Sequence, residues 1–365
     1  MKFLKSIVEE EIDSFDEENM ELSEKDKELL KYIEMAKINI TVVGCGGAGN
    51  NALNRLAKED IKGIKTVAIN TDAQQLLKTK ADVKVLIGKN LTRGLGAGGD
   101  PVKGEEAAKE NAEDIKKAIQ GSDMVFITCG LGGGTGTGAA PVVAEIARKL
   151  GALTVAVVTL PFSMEGKIRM NNAIKGLEKL KKVADTIVII PNDKLLEIVP
   201  NVPLRVAFKV ADEVLINAVK GMIELVQNVG EIHLDFADVK AVMSNGGIAM
   251  IGIGESDSEN RAKEAVNMAL NSPLLCVDVD GAKGALIHIT GPKDMSVEEA
   301  KEIVSTVTER LDENAVIIWG TTIDENEENT IRVLLIITGT KTKEITPFNT
   351  PKGKKPVVVD ILPSI

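Results

Sequence analysis

Residues 130–138 read GLGGGTGTG and place six glycines and two threonines in nine positions, directly after the apolar run Met124 to Cys129. Glycine in an ordered loop costs conformational entropy, so such density implies a backbone that needs positive φ or must approach something closely. Two further stretches share this character. GCGGAGNN, residues 44–51, follows the apolar run ITVV, and RGLGAGGDP, residues 93–101, ends in Asp-Pro, a good helix start. Successive amides at the start of a helix make an anion site, because unpaired N–H groups and the positive end of the helix dipole point the same way. One or two glycines would suffice for a tight turn. Several such loops instead suit a polyphosphate gathered by several helix N-termini.

GCGGAGNN also satisfies GxGxxG at Gly44, Gly46 and Gly49, with Asp72 about one strand further on, where an acid would hold a dinucleotide ribose. An NAD-dependent oxidoreductase is therefore one alternative. The second loop of the same kind argues against it, since a single pyrophosphate bridge needs only one. No GxxxxGK[ST] occurs, so there is no P-loop lysine. Phosphate charge must be met by amides, helix dipoles and Mg²⁺, with the hydroxyls of Thr135 and Thr137 at hand.

Composition narrows the chemistry further. A net charge of -10 and an aromatic content of 2% disfavour a nucleic-acid binder, which needs clustered cations and stacking platforms. Two histidines, His233 and His288, and three widely spaced cysteines, Cys45, Cys129 and Cys276, leave few candidates for a metal centre or a Ser-His-Asp site, so no protein-built metal site is expected. The longest apolar run, Leu153 to Leu160, holds eight residues including two threonines, well short of the roughly 20 that cross a bilayer. The N-terminus turns acidic at once and lacks the apolar stretch of a secretory signal, which predicts a cytoplasmic protein.

The loops must be carried by regular elements. Apolar runs at 38–43, 65–69, 83–87, 124–129, 152–159 and 186–190, most of them separated by helical patterns, predict an α/β domain over 38–203 with a doubly wound parallel sheet covered on both faces. Ligands of such sheets bind outside the carboxyl ends of the strands. A long, largely buried connecting helix is expected within 204–229. Strands at 247–253, 284–290, 315–321 and 330–338, with helices near 258–270 and 296–310, predict a second, smaller α/β (α+β) domain over 230–340. Residues 1–37 carry twelve acids against six bases and read as a charged extension, while the proline-containing, basic stretch 341–365 reads as a flexible tail.

GGGTGTG is the signature loop of the tubulins. With GCGGAGNN, NTDAQ, RGLGAGG, GLGGGTGTGAAP, PFSMEGKIRM, DFADV and GALIHITG in order, residues 38 to about 340 resemble the tubulin-like cell-division GTPases of the FtsZ family, its archaeal members in particular. The resemblance implies a protein that binds and hydrolyses GTP, polymerises head to tail into filaments, and acts in septum formation at mid-cell. It implies that Gly46, Gly47, Ala48, Gly49 and Asn50 contact the α and β phosphates, and that Ala97, Gly98 and Gly99 lie near the γ phosphate. Gly132, Gly133, Gly134, Thr135, Gly136 and Thr137 would hold the β and γ phosphates with Mg²⁺. Glu165 and Arg169 would bind the ribose and base, with Asn192, Phe208 and Asp212 around guanine.

Some of these residues have plainer readings as well. Glu165 and Arg169 stand at i,i+4, a favourable surface ion pair on spacing alone. Asp212 shares the polar stripe of its helix with Arg205, Lys209 and Lys220. Set against a base, its carboxylate would match the adjacent N1–H and 2-amino donors of guanine, whereas adenine presents an acceptor at N1.

By the same resemblance the catalytic acids are Asp235 and Asp238, which enter the pocket of the neighbouring subunit, so that hydrolysis requires polymerisation. Asp235 as a helix cap, with Asp238 near the positive helix end, is the ordinary alternative. The family's usual Asn is replaced here by His233, which predicts reduced or pH-dependent GTPase activity. A paralogue with a mainly structural or regulatory filament role is the alternative that this substitution supports. By the same resemblance the apolar end Pro356 to Ile365 would dock a membrane anchor or other division proteins, and a plain disordered end is the ordinary alternative.

Overall fold

The computed structural model describes residues 38–59, 61, 63–227, 236–244, 246–275, 279–324 and 328–339. The expectations for the extension 1–37, the tail 341–365, His233, Asp235 and Cys276 lie outside the described residues.

The chain alternates strand and helix from its first described residues. Strands β1 (Ile40–Cys45), β2 (Ile64–Asn70), β3 (Val83–Leu86), β4 (Met124–Gly130), β5 (Leu153–Leu160) and β6 (Thr186–Pro191) pair in parallel, in the order β3-β2-β1-β4-β5-β6. Between them lie α1 (Gly46–Leu56), α2 (Ala73–Lys78), α3 (Pro101–Glu110), α4 (Ala112–Ile119), α5 (Thr135–Lys149) and α6 (Lys167–Val183). Every residue of β1, β5 and β6 is buried, as a parallel sheet covered on both faces requires. The register pairs Cys45 with Cys129, Gly130 with Thr159 and Leu160 with Pro191, so the carboxyl ends of four strands finish nearly level. The glycine loops leave from that edge.

After α7 (Asn192–Ile198) comes α8 (Leu204–Gln227), the expected long helix, followed by α9 (Phe236–Met243). The later strands, β7 (Gly247–Ser256), β8 (Gly284–Gly291), β9 (Val316–Ile323) and β10 (Ile331–Thr338), do not form a sheet of their own. β7 pairs in parallel with β6, from Thr186↔Gly247 to Ile189↔Met250, and β10 lies antiparallel between β7 and β8. One ten-stranded sheet therefore carries both halves among the described residues. α10 (Arg261–Leu270) and α11 (Val297–Thr308) cover the second half.

Strand alternation sends Val43, Val67 and Ile127 to one face, against Ala107, Ile115, Val143 and Leu177 of the helices after β3, β4 and β5. It sends Val42, Ala68 and Phe126 to the other, in one cluster with Leu215, Ile216, Val219, Met222 and Ile223 of α8. The same cluster takes in Leu286, Leu334 and Ile336, so α8 buries apolar surface against both halves of the sheet. Each such side chain contributes about 1.5–3 kcal/mol on burial. α3 and α5 approach through glycine: a Cβ at Gly138 would stand 2.1 Å from the carbonyl oxygen of Pro101. Among the described residues no helix is long and apolar enough to cross a membrane.

Candidate functional site

A cavity of about 350 Å³ opens at the carboxyl ends of β1, β4, β5 and β6, and all three glycine loops reach it. Gly47 and Ala48 come from the first, Gly96, Ala97, Gly98 and Gly99 from the second, and Gly130, Leu131, Gly133, Gly134, Thr135 and Gly136 from the third. A Cβ built on Gly98, Gly99 or Gly133 would meet no protein atom within 4 Å, so the space beside these residues is open to a ligand.

The helix ends at the cavity differ from their neighbours. α2 and α3 are capped by Asp72 and Asp100, whose carboxylates accept backbone amides. α1 and α5 begin with no side-chain cap and no acid in the first turn. Their amides and dipoles therefore face the cavity without an internal anion, which is the arrangement that receives phosphate. Gly46 (φ +68°) and Gly132 (φ +104°) make the turns that bring the two helix starts there.

Gly46, Gly49, Asn50, Gly132 and Thr137 stand behind the cavity wall and not on it. A Cβ at Gly49 would lie 2.4 Å from the carbonyl oxygen of Thr128, so this glycine lets α1 rest on β4. Asn50 is fully buried. With its amide oriented to suit its neighbours, it donates to the carbonyls of Gly44 (2.9 Å) and Gly46 (3.2 Å) and accepts from Asn70 Nδ2 (3.0 Å). Thr137 Oγ1 accepts from the Gly132 amide at 2.8 Å, and the hydroxyls of Thr135 and Thr71 are 2.7 Å apart. These bonds brace the loops before any ligand arrives.

Glu165, Arg169, Asn192, Phe208 and Asp212 line the other end of the same cavity. Glu165 pairs with Arg169 and accepts the Phe162 amide at 2.9 Å, so the ion pair is anchored to the backbone. The Phe208 ring, 40% exposed, meets Phe162 edge to face at a centroid distance of 5.1 Å. Asn192 Oδ1 is buried without a hydrogen-bond partner, an acceptor left for a donor that the protein does not supply. Asp212 Oδ2 lies 3.5 Å from Arg55 Nε. Burial pushes its carboxyl up to about 6, with Arg55 opposing the rise and the charge of Glu213 adding to it.

Asn70, Asp72, Gln75, Thr159, Pro161 and Ala211 also line the cavity; none was among the contacts implied by resemblance, and Asp72 was named only as the ribose acid of the dinucleotide alternative. Their signal was position: the first three flank the turn after β2, within or just after NTDAQ, and Thr159 and Pro161 flank the last residue of β5.

Asp238 is exposed in the first turn of α9 and does not line the cavity. The far end of α9 is fixed by Thr186 Oγ1, which donates to the Met243 carbonyl at 2.5 Å. Thr186 opens β6, whereas Asn192, at the other end of that strand, lines the cavity. Five steps of strand span roughly 16 Å, and the five residues from Met243 back to Asp238 cover only about 7.5 Å of helix. Within one chain the acid and the cavity do not meet.

Comparison with known proteins agrees with this geometry. The Tubulin/FtsZ family GTPase-domain model matches residues 39–200, and the FtsZ family C-terminal-domain model matches residues 247–341. Cell division protein FtsZ 1 of Methanocaldococcus jannaschii is 71% identical over 345 residues, covering 94% of each chain. That of Pyrococcus furiosus is 56% identical over 359 residues, covering 97% of this chain and 96% of the relative. The solved empty FtsZ dimer of M. jannaschii superposes with a TM-score of 0.84 at 74% identity, covering 87% of this chain and 93% of that one. Loops, sheet and relatives agree: the chain belongs to the FtsZ family of tubulin-like GTPases.

Proposed function

We propose that the chain binds GTP in the cavity at the strand ends and hydrolyses it as part of a head-to-tail filament, each copy's Asp235 and Asp238 closing the cavity of the next. One observation carries this reading: Asp238 lies on the short helix whose end is pinned to the first residue of β6, away from the strand ends that carry the cavity, and it does not line that cavity. An acid so placed reaches a nucleotide only in another copy, and a contact that joins two different faces repeats into an open filament. The rim supports it, since Leu95, Met164 and Ile168 are 85%, 66% and 79% exposed beside the cavity residues Gly96, Glu165 and Arg169. Apolar side chains so exposed around a site suit burial by a partner.

In this reading the amides of α1, α5 and the second glycine loop take the phosphates, Glu165 and Arg169 the ribose, and Phe208, Asp212 and Asn192 the guanine. The cavity's charged side chains are Asp72, Glu165, Asp212 and Arg169, an excess of acid that a polyphosphate would worsen. A cation fits that excess. Mg²⁺, held by the phosphates with Thr135 and Asp72 as nearby oxygen donors, would neutralise charge on the transferred group. The loops position the γ phosphate, and the neighbour's acids orient and polarise the attacking water.

Filaments of this kind would act in the cytoplasm at the division site, with Pro356 to Ile365 as the peptide that docks a membrane anchor or another division protein. GTPase activity per subunit should rise with protein concentration, together with light scattering on addition of GTP. A flat specific activity with no scattering would defeat the shared site.

A further inference from the structure

Arg55 stands in the last turn of α1, the helix whose first turn lines the phosphate end of the cavity. Its side chain crosses to α8 and forks over two consecutive carboxylates. Nε lies 3.5 Å from Asp212 Oδ2, and Nη1 donates to Glu213 Oε1. The side chains of Arg55 and Asp212 are each only 20% exposed, so this pair is more than a solvated surface contact. A guanidinium is always charged and holds its donors in a rigid plane, which fixes the carboxylates it touches.

We infer that Arg55 is a positioning residue for base recognition: by pairing with Asp212 across α1 and α8 it keeps that carboxylate ionised and aimed at the cavity, and so sets the preference for guanine. The inference rests on the reading of Asp212 as the guanine-facing group. An ionised carboxylate accepts from two adjacent donors, as N1–H and the 2-amino group of guanine require, while a protonated one carries a donor on one oxygen and fits that edge poorly. The charged groups acting on Asp212 are Arg55 from α1 and Glu213 from α8, while Asp72, Glu165 and Arg169 line the same cavity. Burial and Glu213 both favour the protonated form, and Arg55 opposes them. Burial and Glu213 thus raise the Asp212 carboxyl to about 6, and the Arg55 ion pair restrains that rise.

The test is equilibrium binding of GTP and of ITP, which lacks the 2-amino group, between pH 5 and pH 8. Full-length wild type is compared with Arg55→Gln, Arg55→Lys, Glu213→Gln and Asp212→Asn. In Arg55→Gln the pH midpoint of GTP binding should move up, affinity at pH 7 should fall about tenfold, the scale of one charge-assisted hydrogen bond, and the advantage of GTP over ITP should shrink. Arg55→Lys should return the midpoint towards wild type. Glu213→Gln should move it down, a result that needs no loss of Arg55 and survives if Arg55→Gln folds poorly. Equal weakening of both nucleotides in Arg55→Gln with an unmoved midpoint would overturn the inference. If Asp212→Asn abolishes the preference while neither Arg55 nor Glu213 shifts the midpoint, the role of Arg55 falls and the reading of Asp212 stands. If Asp212→Asn leaves the preference intact, both fall.

Discussion

The hydroxyl of Thr186, the first residue of β6, donates to the carbonyl of Met243 and pins the end of α9 to the start of that strand, away from the strand ends that carry the cavity. Asp238, in the first turn of that short helix, is thereby kept from the cavity of its own chain. Asp238→Ala should leave GTP affinity within about twofold of wild type, because no cavity residue changes. Turnover should fall at least about 100-fold, the scale of losing a positioned acid or base. A fluorescent GTP analogue reports the first and phosphate release the second. The exposed position predicts a stability change within about 0.5 kcal/mol.

Asp212 links the site to stability. Its folded carboxyl is raised from 3.8 to about 6, so the protonated form is the one the fold favours. The stabilising contribution is complete below the unfolded value and is lost as pH rises through about 6. Asp212→Asn removes a buried charge that the empty protein carries at a cost. The nucleotide-free variant should therefore gain on the order of 1–3 kcal/mol over wild type at pH 7.5, and the gain should vanish towards pH 4. Thermal melts across that range check the sign.

Phe208 offers a cleaner separation of binding from folding. Its ring is 40% exposed and meets Phe162 edge to face, so Phe208→Ala should cost about 1–3 kcal/mol of stability, less than truncating a fully buried ring. If the ring stacks on the base, GTP affinity should fall by about 1–3 kcal/mol, and calorimetric titration separates the two effects.

The three loops and the strands that carry them were legible because glycine spacing and apolar runs are local signals. Asn50 and Thr137 were placed at the phosphates by resemblance, and motif position does not reveal that their polar atoms already hold the loop backbones. Arg55 gave no signal at all. Its partner Glu213 is 158 residues away, and only the packing of α1 on α8 brings them together. The pairing of β7 with β6 was equally hidden, since a strand's apolar run does not say which edge it joins.

The most direct test of a site shared between two copies is a mixing experiment. Asp238→Ala keeps the cavity and lacks the acid. Gly133→Leu keeps the acid and fills the cavity, since Gly133 lines it and a Cβ built there would meet no protein atom within 4 Å. Phosphate release from GTP should be near background for each variant alone and should recover when they are mixed, as the acid of one copy meets the open cavity of the other. Activity in the mixture no greater than the sum of the two alone would contradict it.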